Sequence, residues 1–219
     1  MKNLNRYLEH TLLKPDCTQH EIEMLLTDCR QYRFMGVCVP PFWVKKVKRD
    51  LSDMDIQVVT VVGFPFGYST TEAKVHETVQ AIRDGADEID VVWSLTAYKS
   101  GMNWPKIELA KLSQLCHEEG RLIKVIVETA FLDESELLEA CDICRDAGAD
   151  FVKTSTGFAP GGAVEEQIRL MRSRLPSQVG IKASGGIRDL PKAIAMIKAG
   201  ADRIGTSAGP SIMNALEDA

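Results

Sequence analysis

The chain has 219 residues, 45% of them apolar and 26% charged, with a net charge of -5. That profile is one of an ordinary soluble globular protein able to bury a sizeable core. A negative balance without any basic tract argues against nucleic-acid binding, and no apolar run approaches the roughly 20 residues of a membrane helix.

Short apolar strands and amphipathic helices alternate along the chain. Predicted strands are Tyr7–Leu12, Gly36–Val39, Gln57–Val62, Glu88–Val92, Leu122–Val127, Phe151–Thr154, Gly180–Ala183 and Arg203–Thr206. Between them the apolar period predicts helices over Thr18–Tyr32, Pro41–Leu51, Thr70–Asp84, Trp104–Glu119, Asp133–Ala147, Gly162–Ser173 and Leu190–Ala199. Three helices end on the same Gly-Ala-Asp stop, at Gly85-Ala86-Asp87, Gly148-Ala149-Asp150 and Gly200-Ala201-Asp202. Eight such units without a linker predict a single domain over residues 1–219, an α/β fold of the closed (β/α)8 barrel type. A doubly wound open sheet is the alternative.

Met1-Lys2-Asn3-Leu4-Asn5-Arg6 leads into no long apolar run, so no signal peptide is expected. Cys17, Cys29, Cys38, Cys116, Cys141 and Cys144 read as reduced thiols. Cys141-Asp142-Ile143-Cys144 has redox spacing but sits inside a helical pattern, which favours a buried pair. His10, His20, His76 and His117 are scattered, without metal-site spacing. No metal or cofactor is expected, and a cytoplasmic location fits.

Two lysines occupy matching places in adjacent predicted strands, Lys153 in Phe151-Val152-Lys153-Thr154-Ser155-Thr156-Gly157 and Lys182 in Gly180-Ile181-Lys182-Ala183-Ser184-Gly185-Gly186. Strand alternation sets each opposite a β-branched residue. Asp90 likewise opposes Ile89 and Val91, and Lys124 opposes Ile123 and Val125. If the apolar faces meet the helices, four consecutive strands direct charge into the barrel, in register and near the ends where barrel sites form. Such a buried cluster is a poor stabiliser and a functional candidate. Two ammonium groups about 4 Å apart at an effective dielectric near 20 repel by roughly 4 kcal/mol, or about 3 pKa units. That repulsion is expected to free at least one amine near neutral pH, able to attack a carbonyl.

Glycine-bearing turns follow the last strands, at Gly157, at Gly185-Gly186-Ile187-Arg188 and at Gly205-Thr206-Ser207. Side by side at a barrel mouth, Gly157, Gly185, Gly186, Gly205 and Ser207 would form an anion nest suited to a phosphate.

The chain resembles the deoxyribose-phosphate aldolase family over nearly its whole length. The resemblance is carried by His10-Thr11-Leu12-Leu13-Lys14-Pro15, Val61-Val62-Gly63-Phe64-Pro65, Asp87-Glu88-Ile89-Asp90, Lys124-Val125-Ile126-Val127-Glu128-Thr129 and the two lysine motifs. It implies a class I aldolase barrel that reversibly cleaves 2-deoxy-D-ribose 5-phosphate to D-glyceraldehyde 3-phosphate and acetaldehyde. It further implies Lys153 as the Schiff-base lysine, Lys182 as the lysine that lowers its pKa, Asp90 as the proton-relay acid and Lys124 as a support of that relay. A sugar phosphate and an aldehyde would be its small-molecule partners, and a homodimer its assembly. A class I aldolase of different aldehyde preference, or a non-catalytic sugar-phosphate-binding barrel, stays open on the residues. The chain departs from common family patterns at Glu9, Pro40, Ser94, Thr96 and Val164, and it has no C-terminal tyrosine of the kind that assists proton transfer in some members.

Overall fold

The computed structural model describes residues 3–218. Its elements run β1 (Leu8–Thr11), α1 (Gln19–Tyr32), β2 (Gly36–Val39), α2 (Val44–Asp50), β3 (Gln57–Val62), α3 (Thr71–Arg83), β4 (Glu88–Val92), α4 (Leu95–Lys99) and α5 (Trp104–Glu118). They continue with β5 (Leu122–Ile126), α6 (Glu134–Asp146), β6 (Phe151–Lys153), α7 (Glu165–Arg174), β7 (Gly180–Ser184), α8 (Leu190–Ala199), β8 (Arg203–Thr206) and α9 (Gly209–Glu217). The eight strands are parallel and close in sequence order, β8 pairing with β1. The closed barrel is therefore the architecture, and the open-sheet alternative falls.

Local chemistry sets the boundaries. Thr18 and Asp133 each start a helix with a capping box, to Glu21 and Glu136, and Thr70 and Asp189 accept N–H bonds from Ala73 and Lys192. The helix expected from Gly162 begins at Glu165 instead. The N–H of Ala163 is already used by the carbonyls of Ser184 and Gly185, each at 3.0 Å, and Val164 is extended with no side-chain cap. The segment expected as one helix over Pro41–Leu51 opens with a 3-10 turn at Pro41–Trp43. Sequence reasoning did not find α4, which is one turn long, or α9, whose Gly209-Pro210 start reads as a turn.

The Gly-Ala-Asp repeat has a common purpose. Asp87, Asp150 and Asp202 accept the backbone N–H of Val58, Ile123 and Ile181, at 3.0, 2.8 and 2.8 Å. Each aspartate enters one strand while pinning the start of the strand before it. Orphan donors at the bottom of β3, β5 and β7 are thereby satisfied.

The core has two parts. Ile89, Val91, Ile123, Val125, Val152, Ile181 and Ile204 face outward and are buried against the helices, each side chain contributing about 1.5–3 kcal/mol when fully covered. Inside the barrel Cys38, Val59 and Val61 form a small apolar cluster, with Leu13 and Phe64 packed on it. Glu9, Glu88, Asp90, Lys124, Lys153 and Lys182 put buried charge beside it. All six cysteines are free, and Cys141 and Cys144 are buried, as expected of a packed pair. No helix among the described residues is long and apolar enough to cross a membrane.

Candidate active site

Alternation along the strands sends Asp90, Lys124, Lys153 and Lys182 inward, and all four are buried. Lys153 and Lys182 are direct partners across β6 and β7, and Asp90 and Lys124 across β4 and β5. The four do not lie in one register. Lys153 pairs across β5 with Ile126, while Lys124 pairs with Phe151. The stagger of a closed barrel sets Lys124 two residues deeper than the sequence alignment of charges suggests.

Asp90 is the hub. Its Oδ2 accepts from Lys153 Nζ at 2.8 Å and from Lys182 Nζ at 2.7 Å, and its Oδ1 accepts from Lys124 Nζ at 3.0 Å. Burial pushes its carboxyl up, yet the three ammonium groups hold it well below the usual carboxylate range. Lys182 also donates to Glu9 Oε2, and Lys124 pairs with Glu88 and, at 3.6 Å, with Glu9 Oε1. Beneath them Arg203 reaches Glu9 at 3.7 Å and Glu88 at 3.8 Å while its guanidinium lies over the Phe151 ring.

For Lys182 this arrangement corrects the electrostatic expectation. Bare repulsion between Lys153 and Lys182 would depress an amine, but a carboxylate oxygen is seated between them. Burial lowers the Lys182 pKa, and Asp90 and Glu9 more than offset that, so it stands above its ordinary value. Lys124 is raised in the same way, against burial, by Asp90, Glu9 and Glu88. The Glu9 carboxyl is lowered, its burial outweighed by Lys124 and Lys182.

Sequence reasoning did not assemble Glu9, Glu88 and Arg203 into the cluster. A charged residue at mid-strand beside Leu8 was the available signal for Glu9, and shared alternation with Asp90 was the signal for Glu88.

A cleft of about 340 Å³ opens above the cluster at the C-terminal ends of the strands, and Lys153 lines it. Of the three lysines, it alone does so. Gly157, Gly185, Gly186, Gly205 and Ser207 line the same cleft, with Arg188. Gly157, Gly185 and Gly186 have φ of 91°, 86° and 71°, conformations that glycine adopts without a side-chain clash. A Cβ on Gly205 would sit 3.2 Å from the Lys182 stem, and one on Gly162 would sit 2.2 Å from the Gly185 carbonyl. Missing side chains therefore let the lysine pass and let the loop before α7 brace the turn after β7. The cleft thus brings a primary amine together with glycine turns of the kind whose backbone N–H groups can cradle an anion.

A second cavity of about 660 Å³ adjoins it through Leu13, Lys14 and Phe158. Cys38 is buried below, and burial pushes its thiol up to about 11, a quiet core thiol. Trp93 is also fully buried, its indole N–H bonded to the Val127 carbonyl at 2.9 Å. Among the described residues no group of His, Cys, Asp or Glu could hold a metal ion.

Residues 11–215 match the DeoC/LacD family aldolase profile. A deoxyribose-phosphate aldolase of Brevibacillus brevis is 50% identical over 212 residues, 96% of this chain and 95% of the relative. One from Thermococcus gammatolerans is 46% identical over 220 residues, 99% of this chain and 98% of the relative. Among solved structures, the aldolase QR15 superposes with a TM-score of 0.94 at 43% identity, covering 100% of this chain and 97% of the other. The tetrameric deoxyribose phosphate aldolase of Aeropyrum pernix does so with a TM-score of 0.91 at 31% identity, covering 98% and 91%.

Proposed function

The chain belongs to the DeoC/LacD aldolase family, and from that premise we propose that Lys153 is its Schiff-base nucleophile, with Asp90, Lys182 and Lys124 as the proton-handling group and the glycine nest as the phosphate site. The enzyme is a class I carbon–carbon lyase. Its reaction is the reversible cleavage of 2-deoxy-D-ribose 5-phosphate to D-glyceraldehyde 3-phosphate and acetaldehyde.

One observation carries the assignment of roles. Three buried lysines share Asp90, and only Lys153 both shares it and reaches the cleft. Lys124 and Lys182 each contact two or more carboxylates, whereas Lys153 has half of one Asp90 oxygen. Among the described residues the interior ion pairs join four cations, Lys124, Lys153, Lys182 and Arg203, to three carboxylates, Glu9, Glu88 and Asp90. The least compensated amine is the one facing the cleft.

The Lys153 amine adds to the C1 carbonyl of the open-chain sugar, and loss of water from the carbinolamine gives a protonated imine. The C2–C3 bond then breaks. Its electron pair moves into the imine to form an enamine, while Asp90 takes the C3 hydroxyl proton through water. Glyceraldehyde 3-phosphate departs, the proton returns to C2, and water hydrolyses the new imine to release acetaldehyde and restore the amine. Lys182, held protonated between Asp90 and Glu9, keeps positive charge beside each departing or arriving proton. Gly157, Gly185, Gly186, Gly205 and Ser207 line the same cleft as Lys153 and hold the phosphate, so binding energy from the unreacting end orients C1.

Six free cysteines support a reducing, cytoplasmic setting. Similarity to a tetrameric relative supports self-association, in its simplest form a homodimer, which sedimentation measures.

Borohydride reduction in the presence of acetaldehyde, followed by peptide mass mapping, tests the assignment. The adduct is expected on Lys153, and Lys153→Ala should abolish trapping and lower turnover by roughly 10⁵-fold. An adduct on Lys182 would reverse the two roles.

A further inference from the structure

Glu128 combines two unfavourable features beside the cleft. Its backbone is left-handed, φ 56° and ψ 70°, a conformation a glutamate adopts only under constraint. Arg33 shares the positive φ but closes helix α1, where that conformation is an ordinary ending. Glu128 closes no helix. It is also a buried carboxylate, 5% exposed, whose Oε1 has no hydrogen-bond partner among the described residues.

The kink keeps both its neighbours bonded to the strand of the reactive lysine. The N–H of Val127 donates to the Lys153 carbonyl at 3.0 Å, and the N–H of Thr129 to the Thr154 carbonyl at 2.8 Å. Between them the Glu128 side chain reaches across to Thr156. Its Oε2 accepts the Thr156 N–H at 3.1 Å and the Thr156 hydroxyl. Thr156 Oγ1 in turn accepts the Phe158 N–H at 3.1 Å. A threonine oxygen has one proton and two lone pairs. The proton goes to Glu128 and one lone pair to Phe158, which leaves one lone pair. Thr156, Gly157 and Phe158 all line the cleft with Lys153.

We infer that Glu128 is a positioning residue. It fixes the segment between Lys153 and the glycine nest, and it commits the Thr156 proton so that this hydroxyl meets the cleft as an acceptor. The inference rests on the reading of Lys153 as the nucleophile.

Glycine at 128 separates this role from a structural one, because it suits positive φ and removes the buried carboxylate. Glu128→Gly is expected to keep or raise the unfolding midpoint and to retain acetaldehyde trapping on Lys153. Its kcat/KM for the sugar phosphate should fall about 30-fold, mainly in kcat, the range of one hydrogen bond to a charged group. Glu128→Gln, which keeps an acceptor for Thr156, should recover to within about threefold of the parent. On a Thr156→Val background, Glu128→Gly should add less than about twofold, since the two side chains act as one unit. Should the glycine variant fail to fold, Glu128→Asn, which also tolerates positive φ and is too short to reach Thr156, carries the same expectation. A glycine or asparagine variant within about twofold of the parent kcat/KM overturns the proposal while leaving Lys153 in place. Trapping that maps away from Lys153 in the parent overturns the site reading itself.

Discussion

Lys74 and Glu108 meet between α3 and α5 with 0% and 1% of their side chains exposed, as deeply buried as Lys182 and Asp90 inside the barrel. The outer pair is closed. Glu108 Oε1 accepts from Lys74 at 2.6 Å, and Oε2 accepts from Thr71, whose hydroxyl oxygen accepts the Trp104 indole N–H. One cation meets one anion. Inside the barrel one Asp90 oxygen serves two lysines, cations outnumber carboxylates, and Glu9 Oε1 lacks a hydrogen-bond donor among the described residues. Equal burial therefore gives opposite results. A one-to-one pair with every oxygen served holds two helices together, whereas a shared, unbalanced group above an open cleft is a functional candidate.

Removing the hub should separate the two regions most sharply. Asp90→Asn leaves three lysines around a neutral amide. It should lower turnover by about 10²–10⁴-fold and stability by about 3–5 kcal/mol, as read by steady-state kinetics and urea unfolding. At the outer pair the loss should be of stability alone. Lys74→Met strands Glu108 and should cost about 3–5 kcal/mol, while Lys74→Met with Glu108→Leu should return to within about 1 kcal/mol of the parent. The folded single variant should turn over within about threefold of the parent. A fall in its turnover matching that of Asp90→Asn would erase the distinction.

The barrel, its strand order and the inward charges were legible because a side-chain period of two and a β-branched opposite face leave a strand charge one place to go. Lys153, Lys182, Asp90 and Lys124 all converge for that reason. Their relative height was not legible, since register depends on the stagger of closure and Lys124 meets Phe151 across the sheet. Glu9 escaped for a related reason, as it joins Lys182 only once β8 closes on β1. The sign of the Lys182 shift depended in turn on Glu9 and on where the Asp90 carboxylate falls. The left-handed turn at Glu128 left no trace in the sequence, because nothing in its residue type favours such a backbone.

The subtlest difference between the regions lies in how each responds to alkali. Burial depresses the Lys74 pKa in spite of Glu108 and Glu77, whereas Asp90 and Glu9 raise that of Lys182 against burial. A lysine depressed on folding contributes stability that is present above its unfolded value of about 10.4 and lost as pH falls through the folded one. A lysine raised on folding contributes stability that is present below about 10.4 and lost as pH climbs through the folded value. Parent-minus-variant stability, measured by urea unfolding from pH 8 upward, should therefore rise with pH for Lys74→Met up to about 10.4. For Lys182→Met it should stay level and then fall above that point. Slopes of the same sign would mean that the carboxylates around Lys182 hold its charge no better than one partner holds Lys74. The shared oxygen of Asp90 would then be an ordinary ion pair, and proton transfer would need another source of imbalance.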